Sequence, residues 1–199
     1  MIGRVLDALA ASRIRRVVAV SSPHTPATTA AMRTGHVGPS PERDTADLSE
    51  NRRGSVDPSE NRRGSAGLAC DVVVGSGEGY VEDLNRGLDA VDGPALTVTS
   101  DLPLLRSRDV GDAVSAAIDS ADAPSVDAVS VCVPVSVKRD LGASVDTRFT
   151  HDGLSVAPTG LNVVADGDDA VVVRRRESLA VNVNRPRDLE LARRLAADE

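Results

Sequence analysis

The chain has 199 residues and a formal net charge of −7, and its apolar residues include one Phe, one Tyr and no Trp. This length supports a single domain with its own core, and the acidic balance disfavours a nucleic-acid partner. No apolar run reaches transmembrane length and no signal-peptide pattern opens the sequence, so we expect a cytoplasmic protein without a membrane partner.

Hydrophobic periodicity predicts helices and strands in alternation along the chain. Helices are predicted at 1–12, 25–33, 80–91, 107–121 and 185–198, and strands at 15–22, 69–75, 95–100, 126–137, 154–164, 170–174 and 178–184. Strands that alternate with helices through short loops predict an α/β fold, with a mostly parallel sheet covered by helices on both faces.

Residues 34–67 differ in character from the rest of this single domain, 1–199. They are rich in Gly, Pro, Ser and charge, and they contain a tandem repeat, "DLSENRRGSV" followed by "DPSENRRGSA". Such a segment buries too little apolar surface to offset its ordering entropy, which predicts a disordered insertion. The repeated "RRGS" suggests either an anion or phosphorylation site or, more simply, a duplication tolerated in a surface loop.

Composition also indicates the environment of the protein. Asp greatly outnumbers Glu and Lys138 is the only lysine, a balance typical of a salt-adapted or GC-rich organism. Cys70 and Cys132 both lie in apolar runs without zinc-like spacing, so we expect reduced core cysteines.

Four polar segments follow predicted strands, namely "SSPHTP", "GSGEGYVED", "SDLP" and "NVNRPRD". In open α/β sheets ligands bind outside the carboxyl ends of the strands, so these segments define the predicted site. No Ser-His-Asp or Cys-His arrangement is evident, and the catalytic residues are therefore unassigned.

The segment "GSGEGYVED" places glycines 75, 77 and 79 between a strand and a helix. Glycines permit positive φ and close backbone approach, and the helix that follows offers free N–H groups to a phosphate or base. The pattern is not the Rossmann G-x-G-x-x-G, and a strand–helix turn that needs glycines for its geometry explains it equally simply.

Asp101 follows the strand "ALTVTS" directly. A carboxylate at a strand end is well placed to bind Mg²⁺ and orient phosphates, although it also suits a turn or an N-cap. Asn182 and Asn184 alternate along the last predicted strand and so share a face, from which one of them would reach the same metal; an Asx turn before Pro186 is the alternative.

Five stretches resemble, in order, the archaeal adenosylcobinamide-phosphate guanylyltransferases. They are "SSPHTPATTAAM", "GSGEGYVEDLNRGL", "LTVTSDLPLL", "PTGLNVV" and "AVNVNRPRDLELARRL". The resemblance implies a Rossmann-like nucleotidyltransferase fold and transfer of GMP from GTP to adenosylcobinamide phosphate, with release of pyrophosphate. It implies Mg²⁺ as cofactor and small-molecule partners, and it leaves a homodimer open. "SDLP" and "NxNxPxDL" also occur in molybdenum-cofactor guanylyltransferases, which remain an alternative.

The same resemblance implies roles for individual residues. Nucleotide binding falls to Ser22, Gly77, Gly79, Asp83 and Gly160, and the metal ligands are Asp101 and Asn184.

One family feature has no counterpart in this sequence, the initial strand and G-G-x-G-T-R…K-P loop that surround the triphosphate. The sequence starts at "MIGRVLDAL", which resembles the family segment after that motif. We therefore expect the central first strand to be missing, either because the start codon is misassigned or because the chain is a noncatalytic remnant that binds nucleotide or corrinoid. Lys138 lies in another predicted context and is not expected to replace the basic residues of the loop.

Overall fold

A computed structural model describes residues 1–33, 69–119 and 126–197. In chain order its elements are α1 (Ile2–Ala10), β1 (Arg16–Ser21), α2 (Pro26–Arg33), β2 (Ala69–Val74), α3 (Tyr80–Leu88), β3 (Ala95–Val98), α4 (Ser107–Asp119), β4 (Ala128–Pro134), α5 (Val135–Leu141), β5 (Phe149–His151), β6 (Leu154–Val164), β7 (Asp169–Val173), a 3₁₀ turn (Glu177–Leu179) and α6 (Pro186–Ala197). The predicted α/β class is confirmed. The predicted insertion at 34–67 lies outside the described residues.

The smaller of two sheets contains β1 and β2, which pair in parallel from Arg16 opposite Ala69 to Ser21 opposite Val74. Helix α3 packs on this sheet at Gly87, where a Cβ atom would lie 2.5 Å from Cγ2 of Val20. The close contact explains why a residue without a side chain occupies that position in the helix.

The larger sheet has the strand order β3-β6-β4-β7, and β5 pairs with β6. Strand β6 is antiparallel to β3, β4 and β5, whereas β4 and β7 are parallel, so this sheet is mixed. Strands β5 and β6 form a hairpin. At its turn Asp152 and Gly153 adopt φ values of 48° and 75°, and the chain reverses direction there.

The main core lies between the larger sheet and helices α1 and α4 and is almost wholly aliphatic. Its most deeply buried members include Leu102, Val110, Val129, Val133, Leu161 and Leu179. Cys132 is buried and Cys70 is half-buried, and neither forms a disulfide. None of the described helices has the length and apolarity needed to cross a bilayer.

The strand predicted at 126–137 is wrong in its last three residues, 135–137. Strand β4 stops at Pro134, and helix α5 begins at the next residue. Proline has no N–H with which to continue a strand ladder, and its fixed φ suits the residue before a helix. Gly142, with φ 77°, ends the helix in the left-handed conformation.

The strand predicted at 178–184 is also wrong, because a 3₁₀ turn and an extended segment replace it. Val181 is fully buried, which produces the apolar alternation that resembled a strand. The backbone N–H of Val183 donates instead to the carbonyl oxygen of Asp101 at 2.8 Å. This single bond brings the extended segment beside the end of β3.

Candidate functional site

Asp101 lies at the centre of the polar cluster after β3. The Nδ2 group of Asn182 donates to Asp101 Oδ1 at 3.3 Å and to the carbonyl oxygen of Thr159 at 2.9 Å. Asn182 Oδ1 accepts a hydrogen bond of 3.1 Å from Nζ of Lys138. One amide group therefore connects a carboxylate with an ammonium group.

Lys138 is a member of this cluster that the sequence did not predict. It lies on α5, and only 4% of its surface is exposed. Burial lowers the pKa of Lys138, and the negative charges of Asp188, Asp146 and Asp101 act in the opposite direction. The sequence prediction placed Lys138 just after a strand, whereas it lies on a helix. The one feature of the sequence that could have drawn attention to it is that it is the only lysine in the chain.

Asn184 lies beside a different carboxylate from the one predicted. Its Nδ2 group donates to Asp146 Oδ2 at 2.9 Å, and Arg185 forms an ion pair with the same carboxylate. The hydrogen bond from Arg185 is the main reason why the pKa of Asp146 is lowered. Asn182, rather than Asn184, is the asparagine bonded to Asp101.

Asp188 fixes the start of helix α6 next to the cluster. This fully buried carboxylate accepts hydrogen bonds from Ser144 N at 3.0 Å, from Ser144 Oγ at 2.7 Å and from Arg185 N at 3.0 Å. Burial would raise the pKa of Asp188, but these bonds outweigh it and lower the pKa. The buried charge is satisfied and holds Arg185 at the edge of the site.

The glycine loop after β2 is organised by Asp83 of α3. Its Oδ1 accepts hydrogen bonds from the backbone N–H of Ser76, from Ser76 Oγ at 3.1 Å and from Gly77 N at 3.2 Å. Burial alone would raise the pKa of Asp83, but the bonds from Gly77 and Ser76 lower it. In this structure the Asp83 carboxylate therefore orders the loop.

Gly77 brings the first two predicted polar segments together. Its φ is +77°, and a Cβ atom there would lie 2.9 Å from Pro23 Cγ and 3.0 Å from His24 Nε2. Ser22 shapes the facing loop, because its Oγ accepts a hydrogen bond from His24 N at 3.2 Å. Gly79 directly precedes α3, and a Cβ atom there would lie 2.5 Å from Glu82 Oε2.

Gly160 lies on β6 and contacts β3. Its φ is +82°, and a Cβ atom would lie 2.4 Å from Thr99 Oγ1. The Thr99 hydroxyl is buried and has no hydrogen-bond partner among the described residues. The close packing against Thr99 accounts for the glycine without a ligand, so its predicted role in nucleotide binding stays a prediction.

A cavity of about 880 Å³, called the slot below, separates the two sheets. Asp83, which orders the glycine loop, and Asp101, the predicted metal ligand, both line it. The other predicted site residues do not line it, namely Ser22, Gly77, Gly79, Gly160 and Asn184.

The described residues contain no group of three or more His, Cys, Asp or Glu side chains arranged to hold a metal ion. Mg²⁺ commonly binds through one or two carboxylates, together with substrate phosphates and waters. Asp101, half-buried at the end of the slot, fits such a site as its one carboxylate.

Comparison with known proteins agrees with the resemblance drawn from the motifs. The chain is 33% identical over 127 residues to the adenosylcobinamide-phosphate guanylyltransferase of Methanocaldococcus jannaschii, a match that covers 62% of this chain and 61% of the relative. No protein-family model matches. A solved structure described as a hypothetical transferase from Thermus thermophilus aligns with a TM-score of 0.45 at 16% identity, over 63% of this chain and 74% of its own. The predicted resemblance to the adenosylcobinamide-phosphate guanylyltransferases is thus confirmed over about three fifths of the chain.

Proposed function

We propose that the protein transfers GMP from GTP to adenosylcobinamide phosphate. An oxygen of the acceptor phosphate attacks the α-phosphorus of GTP, the bond from that phosphorus to the β-phosphate oxygen breaks, and pyrophosphate leaves. The observation that carries the proposal is the Asp101–Asn182–Lys138 connection, whose Asp101 lines a slot that is also lined by Asp83, the residue that orders the glycine loop.

Asp101 would hold Mg²⁺ in this reaction. The metal would offset the negative charge that the phosphates carry. The positive charge of the metal is needed because the cluster is itself negative. It contains three carboxylates and two basic groups, namely Asp101, Asp146, Asp188, Lys138 and Arg185. Without the metal the cluster would repel a triphosphate.

Lys138 and Asn182 would act as positioning residues. The Nζ–Oδ1 bond of 3.1 Å orients the Asn182 amide so that its Nδ2 group faces Asp101. A fixed carboxylate holds its metal in one place without reorganisation during the reaction. The glycine loop, ordered by Asp83, would hold the nucleotide through backbone groups.

The test is transfer of label from α-labelled GTP to adenosylcobinamide phosphate during a Mg²⁺ titration. Asp101→Asn keeps the shape of the side chain but removes its charge, and it should lower the rate by about 100-fold or more. Metal-free GTP binding should change much less. Asp89→Asn is the matched control, because this exposed aspartate lies outside the slot and should retain full activity.

Two results would overturn the proposal. GTP binding without any transfer would indicate a noncatalytic binding protein, and preferential transfer to molybdopterin in a competition assay would indicate the alternative acceptor. Unchanged turnover and Mg²⁺ dependence in Asp101→Asn would show that this residue only shapes a turn.

A further inference from the structure

Arg185 differs from Lys138 in its access to solvent. Lys138 is buried, and its Nζ group donates to Asn182 Oδ1 at 3.1 Å, so it is engaged inside the cluster. The side chain of Arg185, by contrast, is 46% exposed. Of these two basic groups, Arg185 is therefore the one that a ligand from solvent can reach.

The partner of Arg185 in this structure is a carboxylate on a loop. Arg185 Nη2 forms an ion pair with Asp146 Oδ1, and the second oxygen of that carboxylate accepts a hydrogen bond of 2.9 Å from Asn184 Nδ2. Asp146 is 39% exposed and lies between α5 and β5, outside any helix or strand. Ion pairs between exposed groups contribute little free energy, so a ligand of higher negative charge can displace this carboxylate.

A buried carboxylate fixes the backbone next to this pair. Asp188 accepts a hydrogen bond of 3.0 Å from Arg185 N. It also accepts hydrogen bonds from the N–H and the hydroxyl of Ser144, at 3.0 and 2.7 Å. The backbone of Arg185 and the loop two residues before Asp146 are thus held in place, while the two charged side chains extend to solvent. Binding sites need such a fixed base beneath the groups that contact the ligand.

The pair also lies close to the predicted metal ligand. Burial lowers the pKa of Lys138, and three carboxylates oppose this effect, namely those of Asp188, Asp146 and Asp101. Because interactions between charges weaken with distance, Asp146 and Asp101 lie near the same ammonium group. Arg185 therefore borders the region in which the proposed transfer takes place.

A phosphate monoester is the ligand that suits Arg185 best. It carries a charge of about −1.5 to −2 at neutral pH, more than a single carboxylate carries. A guanidinium binds two phosphate oxygens through parallel N–H groups. In the proposed reaction the acceptor brings such a phosphate, and this phosphate must approach a cluster in which carboxylates outnumber basic groups.

We propose that Arg185 binds the phosphate of the acceptor and that Asp146 pairs with Arg185 only until the acceptor arrives. The phosphate displaces the carboxylate from the guanidinium, and no covalent bond of the protein changes. Arg185 then offsets part of the negative charge of the acceptor and holds its phosphate near the metal site. This inference rests on the proposed function, because it assigns the acceptor site of the same reaction.

The test is calorimetric titration of the full chain with adenosylcobinamide phosphate and, separately, with adenosylcobinamide, which lacks the phosphate. Arg185→Gln should weaken binding of the phosphorylated ligand by about 30-fold, since it removes charge-assisted hydrogen bonds, and should leave binding of the other ligand unchanged. Arg187→Gln is the matched control. It changes an exposed arginine in the first turn of α6 and should bind both ligands as the wild type does.

Asp146→Asn distinguishes a binding role from a merely structural ion pair. This variant should bind the phosphorylated ligand about threefold more tightly, because Arg185 no longer gives up an ion pair when the phosphate arrives. A structural ion pair predicts that Asp146→Asn and Arg185→Gln both weaken binding, since both break the same contact.

Steady-state kinetics provide a second readout. The KM for the acceptor should rise in Arg185→Gln and fall in Asp146→Asn, whereas the KM for GTP should stay the same in both. Arg185→Lys keeps the charge but not the planar guanidinium, so it should recover part of the lost affinity. Far-UV circular dichroism checks that each variant folds, and Asp146→Asn alone decides the question if Arg185→Gln does not fold.

The inference is overturned if Arg185→Gln keeps full affinity for the phosphorylated ligand, if it loses affinity equally for both ligands, or if Asp146→Asn does not bind more tightly. It is also overturned if the wild type binds neither ligand. A wild type that binds the phosphorylated ligand through Arg185 but transfers no GMP contradicts the proposed function alone. A wild type that transfers GMP while Arg185→Gln binds normally contradicts this inference alone.

Discussion

Lys138 and Asp101 carry opposite charges and are joined through one side chain, the amide of Asn182. The lysine comes from α5 and the aspartate follows β3, so two distant parts of the sequence determine one geometry. An amide between them transmits orientation, because each of its two ends accepts or donates in a fixed direction.

Lys138→Gln should lower the rate of GMP transfer by about 100-fold, because Asn182 loses the charged donor that orients it. Arg139→Gln, at the next and exposed position of α5, is the control and should leave the rate unchanged. Rates of both variants are compared at saturating GTP and acceptor. Equal rates for the two variants would contradict a positioning role for Lys138.

The pH dependence of transfer gives a second readout of Lys138. Because its pKa is lowered by burial, the rate should fall with rising pH before the ordinary lysine value of about 10.4 is reached. Lys138→Arg keeps its charge to higher pH, so any remaining activity in this variant should not show that fall. An identical alkaline limb in the variant would mean that another group causes it.

Asp83→Asn should loosen the glycine loop without unfolding the protein. The variant removes the charge that accepts hydrogen bonds from Ser76 and Gly77, and it places N–H groups where acceptors were. Hydrogen exchange at residues 75–79 should accelerate, and GTP affinity should fall. Asp89→Asn at the end of α3 is the control, and equal exchange in the two variants would contradict the role given to Asp83.

Asp188→Asn should lower the free energy of unfolding by about 2 kcal/mol at neutral pH, since the fully buried side chain loses its charge and one of the two oxygens that accept hydrogen bonds from Ser144 and Arg185. The folded-state pKa of Asp188 is lowered, so its stabilisation is complete above the unfolded value of about 3.9 and is lost as pH falls through the folded value. Urea unfolding at pH 7 and at pH 3 should therefore show a smaller difference between wild type and variant at the lower pH. The control is Asp140→Asn at an exposed position of α5, whose free energy of unfolding should match that of the wild type at both pH values.

Gly160→Ala should destabilise the protein by about 1–3 kcal/mol, because the residue adopts a φ of +82° and the new methyl group meets Thr99 Oγ1. Adding Thr99→Ala removes the steric conflict but not the backbone strain, so the double variant should recover only part of the loss. Urea unfolding of both single variants and the double variant measures the coupling. If the change in unfolding free energy of the double variant equals the sum of the changes in the two single variants, the contact with Thr99 is unimportant.

The sequence predicted those elements that one hydrophobic period governs. Strand β6 agrees residue for residue with the predicted 154–164, and helices α1 and α2 agree within two residues at either end. The prediction failed where the hydrophobic pattern and a proline favour different structures. The valines on both sides of Pro134 continue the pattern of a strand, but the proline ends the hydrogen-bond ladder of β4 and α5 begins after it.

The candidate site was predictable only in part, because it depends on tertiary contacts. Asp101 was identified from its position after a strand, a local rule. The choice of Asn184 followed the family resemblance, and the strand expected to place both asparagines on one face does not form. Asn182 contacts Asp101 at the point where the N–H of Val183 bonds to the Asp101 carbonyl oxygen. No local pattern encodes such a contact between residues far apart in the sequence.

The absence of any strand pairing between the two sheets, in the described ranges, bears on how the protein opens. Without a backbone ladder between them, the β1–β2 sheet with α3 can separate from the rest while the larger sheet stays intact. Amides of β1 and β2 should then exchange through a partial opening of low free energy, and those of β4 and β6 only through global unfolding. The slot would be the boundary between two cooperative units within one domain.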